Sequence, residues 1–145
     1  MENNVNVLDE INKGATMGMD AIMFVYDKVG DETFKQVLDG EYRKYKEISQ
    51  RVVTEYDKYS IKDPHTTNAM NKAMTWYGIQ MRTMKDQSNE KISELLVQGT
   101  NMGIIEGVRL QNQNKENKLD QPVRQILDDF VAMQEDSVET LKKYL

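Results

Sequence analysis

Three polar side chains fall where the hydrophobic periodicity of the chain asks for apolar ones. Glu41 sits in the stripe Phe34, Leu38, Glu41, Tyr45, Ile48, Val52 and Tyr56 or Tyr59. Gln134 and Ser137 sit in the stripe Val123, Leu127, Phe130, Gln134, Ser137, Leu141 and Tyr144. Spacings of three and four residues place each set on one face of a helix, so the polar members are expected to point inward. An inward carboxylate without a partner is costly or becomes protonated. Two arrangements would relieve Glu41. In one, Glu41, Glu106, Gln134 and Asp20 form an acid-and-amide oxygen site, suited to a weakly held hard cation. In the other, Glu41 pairs with Lys44 or hydrogen-bonds Gln134 in a partly wet interior, and this is the preferred reading.

Redox metal chemistry lacks its ligands. A dinuclear iron or manganese centre needs imidazoles as well as carboxylates. The single histidine, His65, follows Pro64 in a connecting segment, and there is no cysteine. No nucleophile and base stand together either: Ser137 has no histidine within its helix, and no phosphate-binding loop is present. The residues therefore predict no catalytic site, no metal and no cofactor.

The elements that would carry these residues are all helical. A first helix is expected over residues 5–28, with an inward stripe of Leu8, Ile11, Ala15, Gly18, Ile22, Val25 and Val29. Val29-Gly30-Asp31 ends it, with Gly30 suited to a left-handed cap and Asp31 to accepting the amides of the next turn. So short a connection makes the first and second helices an antiparallel pair, the second running over 32–59. Pro64 stops the second helix, and Thr66 or Thr67 can cap a third over 67–85 that carries Met70, Met74, Tyr77, Met81 and Met84, with Trp76 beside them. That face reads as core or dimer contact rather than as an adaptable partner surface. Ser88 is the expected N-cap of a fourth helix over 90–112, with Ile92, Leu96, Gly99, Gly103, Glu106 or Gly107, and Leu110 inward. The polar tract over 111–118 is a solvated end or loop. Pro122 opens a fifth helix that runs from about 120 to the end of the sequence.

Five glycines, Gly14, Gly18, Gly99, Gly103 and Gly107, lie inside the first and fourth helices, each about 1 kcal/mol worse there than alanine. The preferred reason is close approach, the backbones of the two helices nearly touching where they cross. The other is room for an apolar ligand at the centre. Gly14-Ala15-Thr16-Met17-Gly18-Met19 and Gly99-Thr100-Asn101-Met102-Gly103-Ile104 are close copies. Extended outward, the copy aligns Val25 with Leu110, Leu38 with Val131, Glu41 with Gln134, Lys44 with Ser137 and Ile48 with Leu141. The inward polar positions thus fall at equivalent places in two related hairpins.

Composition sets the outer bounds. In 145 residues, 39% are hydrophobic and 30% charged, with two prolines, which suits one all-helical soluble domain. A net charge of −5, with lysine and arginine interleaved among acids, argues against a nucleic-acid partner. No stretch approaches the roughly 18 apolar residues of a membrane span. The polar, acidic start MENNVNVLDE is unlike a secretory signal, so a cytoplasmic location is expected.

Two hairpins (residues 5–59 and 88–145) joined by a crossover helix (66–86) resemble the ferritin-like four-helix bundle. In that superfamily the second helix of each hairpin carries Glu-x-x-His and the first carries one further Glu. The matching tetrads here are Glu41-Tyr42-Arg43-Lys44 and Gln134-Glu135-Asp136-Ser137, and the matching first-helix positions are Gly18-Met19 and Gly103-Ile104. Of six ligands only Glu41 is kept. The chain is most similar to small ferritin-like proteins of spore-forming bacteria that lack a metal centre, including spore-coat-related ones. The resemblance implies an all-α bundle, a homodimer, and a non-enzymatic structural or interaction role tied to sporulation, with a protein partner. The alternatives are residual metal binding by Glu41, Glu106 and Gln134, and an apolar ligand held beside the glycines.

Overall fold

A computed structural model of the chain describes residues 2–59, 72–116 and 118–145, with side chains of the third helix described from Tyr77 onward. The described residues form helices and their connections, with no strand among them: α1 (Glu2–Tyr26), α2 (Glu32–Tyr56) ending in a 3-10 turn (Asp57–Tyr59), α3 (Lys72–Arg82), α4 (Asn89–Gln113) and α5 (Gln121–Lys142). The expected Thr66 or Thr67 cap, His65 and Met70 lie outside the described residues, as do the side chains of Met74 and Trp76.

Each helix is delimited by local chemistry. Asp31, in extended backbone at φ −87°, accepts from the amides of Thr33 (2.8 Å) and Phe34 (3.3 Å) and starts α2. Ser88 does the same for α4 through the Lys91 amide at 3.2 Å. Gly30 does not supply the expected left-handed cap, since no glycine has a positive φ. The last turn of α1 closes instead through Lys28 N–H to the Val25 carbonyl (2.9 Å) and Lys28 Nζ to the Phe24 carbonyl (3.1 Å). The helix also begins earlier than expected, at Glu2. Asn4 explains the extension: its Oδ1, buried, accepts the Asp120 amide at 2.7 Å and ties the start of α1 to the start of α5.

The four long helices pack in the cyclic order α1, α2, α5, α4, every neighbour antiparallel, with α1 and α5 also touching across the centre. Ser49 Oγ donates to Asn12 Oδ1 (2.9 Å) between α2 and α1. Lys44 with Asp136 (3.0 Å) and Arg51 with Asp129 (2.9 Å) join α2 to α5. Ser93 Oγ donates to the Leu141 carbonyl (2.7 Å) between α4 and α5. Asn89 Nδ2 donates to Asp31 Oδ2 (3.1 Å), setting the start of α4 beside the α1–α2 turn. The end of α2 lies at the opposite pole from the start of α4. Along the seams the expected stripes form the core: Leu8, Ile11, Ala15, Ile22, Val25, Phe34, Leu38, Val52, Ile92, Val123, Leu127 and Phe130 are all buried. The α1–α2 and α4–α5 seams are extensive, whereas α1 and α4 meet over much less surface. That sparse seam is where the molecule opens.

Candidate cleft between α1 and α4

Glu41, Gln134 and Ser137 all lie inside, at 4%, 2% and 1% exposure, and the α2–α5 seam brings them together. The Ser137 hydroxyl donates to Glu41 Oε2. The Lys44 ammonium bonds the other oxygen, Oε1, at 3.0 Å and Asp136 Oδ2 at 3.0 Å. Burial pulls the Lys44 pKa down, but the hydrogen bonds to Glu41 and Asp136 outweigh it and the net direction is upward. The carboxylate is thus held by an ammonium and a hydroxyl, and both of its oxygens are engaged. Of the two partners expected from the sequence, Lys44 is present; the hydrogen bond comes from Ser137 in place of Gln134.

Glu106 does not join this group. It stands half-exposed on α4 and pairs with Arg109 at 2.6 Å. Asp20 is exposed on α1. Among the described residues no group of three or more His, Cys, Asp or Glu side chains is gathered where it could hold a metal ion. The acid-and-amide cation site is therefore not assembled by these residues.

The glycines act as notches for side chains rather than as points where two backbones touch, which corrects the close-approach expectation. A Cβ on Gly18 would lie 2.6 Å from the Tyr45 ring, one on Gly14 would lie 2.8 Å from Phe130, and one on Gly99 would lie 2.6 Å from Tyr77. On Gly103 it would meet Gln134 Oε1 at 1.9 Å, and on Gly107 the Val131 methyl at 2.6 Å. These distances fall well inside the 3.5–4.0 Å of ordinary carbon contact. The two copies of the repeat use their notches differently. Gly18 receives an aromatic ring from α2, whereas Gly103, its counterpart, receives an amide from α5.

Tyr45 has a second role. Its ring rests on Gly18 of α1 while its hydroxyl faces Thr100 of α4, whose own hydroxyl donates to the Leu96 carbonyl at 2.8 Å, so one side chain reaches from the first helix towards the fourth. Burial, opposed by the Thr100 hydrogen bond and reinforced by the Glu41 charge, pushes its pKa up to about 12. Burial likewise raises that of Tyr77, whose side chain enters from α3. Beside Tyr45, α1 and α4 leave a cleft of about 570 Å³. Tyr45, Phe130, Gln134, Ser137 and Glu41 contribute its polar and aromatic wall, and Ile22, Leu96, Leu110 and Leu141 its aliphatic wall. All five glycines line it. Lys13 and Glu10 on α1, with Glu106 and Arg109 on α4, also border it. A volume of this size lies within the ~300–1,000 Å³ typical of small-molecule sites.

Sequence reasoning missed a second polar cluster at the far pole. Asp9 is buried and its Oδ1 accepts from the Tyr56 hydroxyl, which is itself fully buried. Tyr59 donates to Asp120 Oδ2 at 2.6 Å. Asp9 borders the inward residue Leu8, a signal that periodicity alone reads as the edge of the stripe. Comparison with protein-family models, with curated proteins and with solved structures finds no match. No helix among the described residues is long and apolar enough to cross a membrane.

Proposed function

We propose that this chain is a ferritin-like bundle whose interior holds an apolar small molecule, and that it works as a binding protein without catalysis. The observation that carries this reading is the cleft of about 570 Å³ between α1 and α4, walled mainly by apolar side chains and by glycines. Closed interiors pack to the density of organic crystals and rarely keep voids much larger than a water molecule. An engineered cavity of about 150 Å³ is already enough to bind benzene. The ferritin-like part of the reading is supported by the antiparallel order α1, α2, α5, α4 and by the single long connection between the hairpins. Where that superfamily gathers metal ligands, Glu41 is neutralised by Lys44 and Ser137, leaving the adjacent space to an uncharged occupant.

The test is to expose the purified chain to a lipophilic cell extract, repurify it by gel filtration and analyse an organic extract by mass spectrometry. The reading expects close to one equivalent of an apolar compound. A chain that returns empty would shift the weight to the structural or interaction role, as a homodimer and with the spore association that the resemblance implies.

A further inference from the structure

We propose that the cleft selects molecules bearing a neutral oxygen acceptor, a ketone, ester or amide carbonyl on an apolar body, and that the Gln134 side-chain amide is the donor that recognises it. This rests on the reading of the cleft as a ligand site. Gln134 is 2% exposed, lines the cleft, and its Nε2 has no hydrogen-bond partner among the described residues. Buried amide groups are nearly always paired, and an orphaned donor on a cavity wall is relieved by an acceptor arriving in that cavity.

Two neighbours fix the amide and narrow the ligand. Gly103 lets the Oε1 side of the carboxamide lie against the α4 backbone, because any Cβ there would stand 1.9 Å from that oxygen. The glycine thus sets where the Nε2 side goes. Glu41 lies in the same wall with its charge already matched by Lys44, so an anionic ligand would bring into the interior a further negative charge that nothing there compensates. The titratable groups bordering the cleft from every element are Glu10 and Lys13 of α1, Glu41 and Tyr45 of α2, Tyr77 of α3, and Glu106 and Arg109 of α4. From α5 the polar members are Gln134 and Ser137. Acids and bases balance near the outer border, and within the wall the one carboxylate disfavours a second. The chemistry left is a neutral acceptor.

The test uses a matched pair, 2-acetylnaphthalene and 2-ethylnaphthalene, with 2-naphthoate as the anion, binding measured by calorimetry. Wild type is expected to bind the ketone about 10- to 100-fold more tightly than the hydrocarbon, and the carboxylate more weakly than the ketone. Gln134→Leu should bind ketone and hydrocarbon alike, near the wild-type affinity for the hydrocarbon. A measurement on wild type guards against a variant that fails to fold. In ¹⁵N-labelled protein the Gln134 side-chain amide resonances should shift with the ketone and stay put with the hydrocarbon. Equal wild-type affinities for ketone and hydrocarbon, or a preference kept by Gln134→Leu, would overturn the carbonyl assignment while leaving the cleft as an apolar site. Failure of all three compounds to bind would sink the cleft reading itself, and this assignment with it.

Discussion

The same substitution at two glycines should change stability in opposite directions. Alanine is favoured over glycine by ~1 kcal/mol inside a helix wherever its methyl group meets nothing. Gly40, in the middle of α2, has no atom within 4 Å of a would-be Cβ. Gly40→Ala should therefore stabilise the protein by about 0.5–1 kcal/mol, or roughly 1–4 °C for a chain of this size. Gly18 offers the same helical gain, but its Cβ would sit 2.6 Å from two atoms of the Tyr45 ring. Relieving that contact means moving a buried ring by about 1 Å within a packed interior. Overpacking of this kind typically costs about 1–3 kcal/mol. Gly18→Ala should come out between neutral and about 2 kcal/mol destabilised, and shortening the ring with Tyr45→Leu in that background should recover part of the loss. Urea titrations followed by circular dichroism give both numbers on one scale. If Gly18→Ala stabilised as much as Gly40→Ala, no ring would occupy that notch, and the account of how α1 and α4 are held apart would be wrong.

Further outcomes follow from the polar seam and the tyrosines. Lys44→Met leaves the Glu41 carboxylate, whose side chain is 5% exposed, with only the Ser137 hydroxyl. Because Lys44 itself is about one-third exposed, the expected loss lies between the values for surface and buried pairs, about 1–3 kcal/mol by urea denaturation. The triple change Glu41→Leu, Lys44→Met, Ser137→Ala should regain most of it, and a Lys44→Met protein as stable as wild type would mean that Glu41 is well solvated. Burial, with the Asp9 hydrogen bond at Tyr56, raises the pKa values of Tyr45, Tyr56 and Tyr77 above the usual 10. A raised folded-state value gives stability that is whole below pH 10 and is lost as pH climbs through the folded value. For Tyr45, going to about 12, that is on the order of 2–3 kcal/mol. Tyrosinate absorbance should accordingly show Tyr45, Tyr56 and Tyr77 ionising only with alkaline unfolding. A single transition at 10 in folded protein would contradict their burial.

Much of this was legible in residue spacing. Apart from Gly18, Tyr59 and Tyr144, which are half-buried, the stripes of α1, α2 and α5 are buried as their three- and four-residue spacing requires, and the polar members Glu41, Gln134 and Ser137 go inward with them. Periodicity fixes a face because a helix repeats every 3.6 residues. It does not fix the register of one helix against another. For that reason Ser137 rather than Gln134 reaching Glu41, and rings rather than backbones filling the glycine notches, could not be read from spacing. Ile126, Leu95 and Val131 are buried beside the expected stripes because α4 and α5 share a seam wider than one row of side chains. Asn4 and Asp9 were missed for another reason: their partners, the Asp120 amide and the Tyr56 hydroxyl, lie 116 and 47 residues away in sequence. The cleft is lined from all five helices, a coincidence of register that no single stripe encodes.

The most direct measurement is a fluorescence titration of the chain with 1-aminoanthracene, an uncharged apolar reporter, in wild type and in Ala21→Trp. Ala21 is a half-buried residue on the cleft wall, where an indole would take up part of the space. Saturable binding of one reporter per wild-type chain, abolished in a folded Ala21→Trp protein, is the result the account requires. Absence of saturable binding in wild type, or undiminished binding in Ala21→Trp, would contradict it.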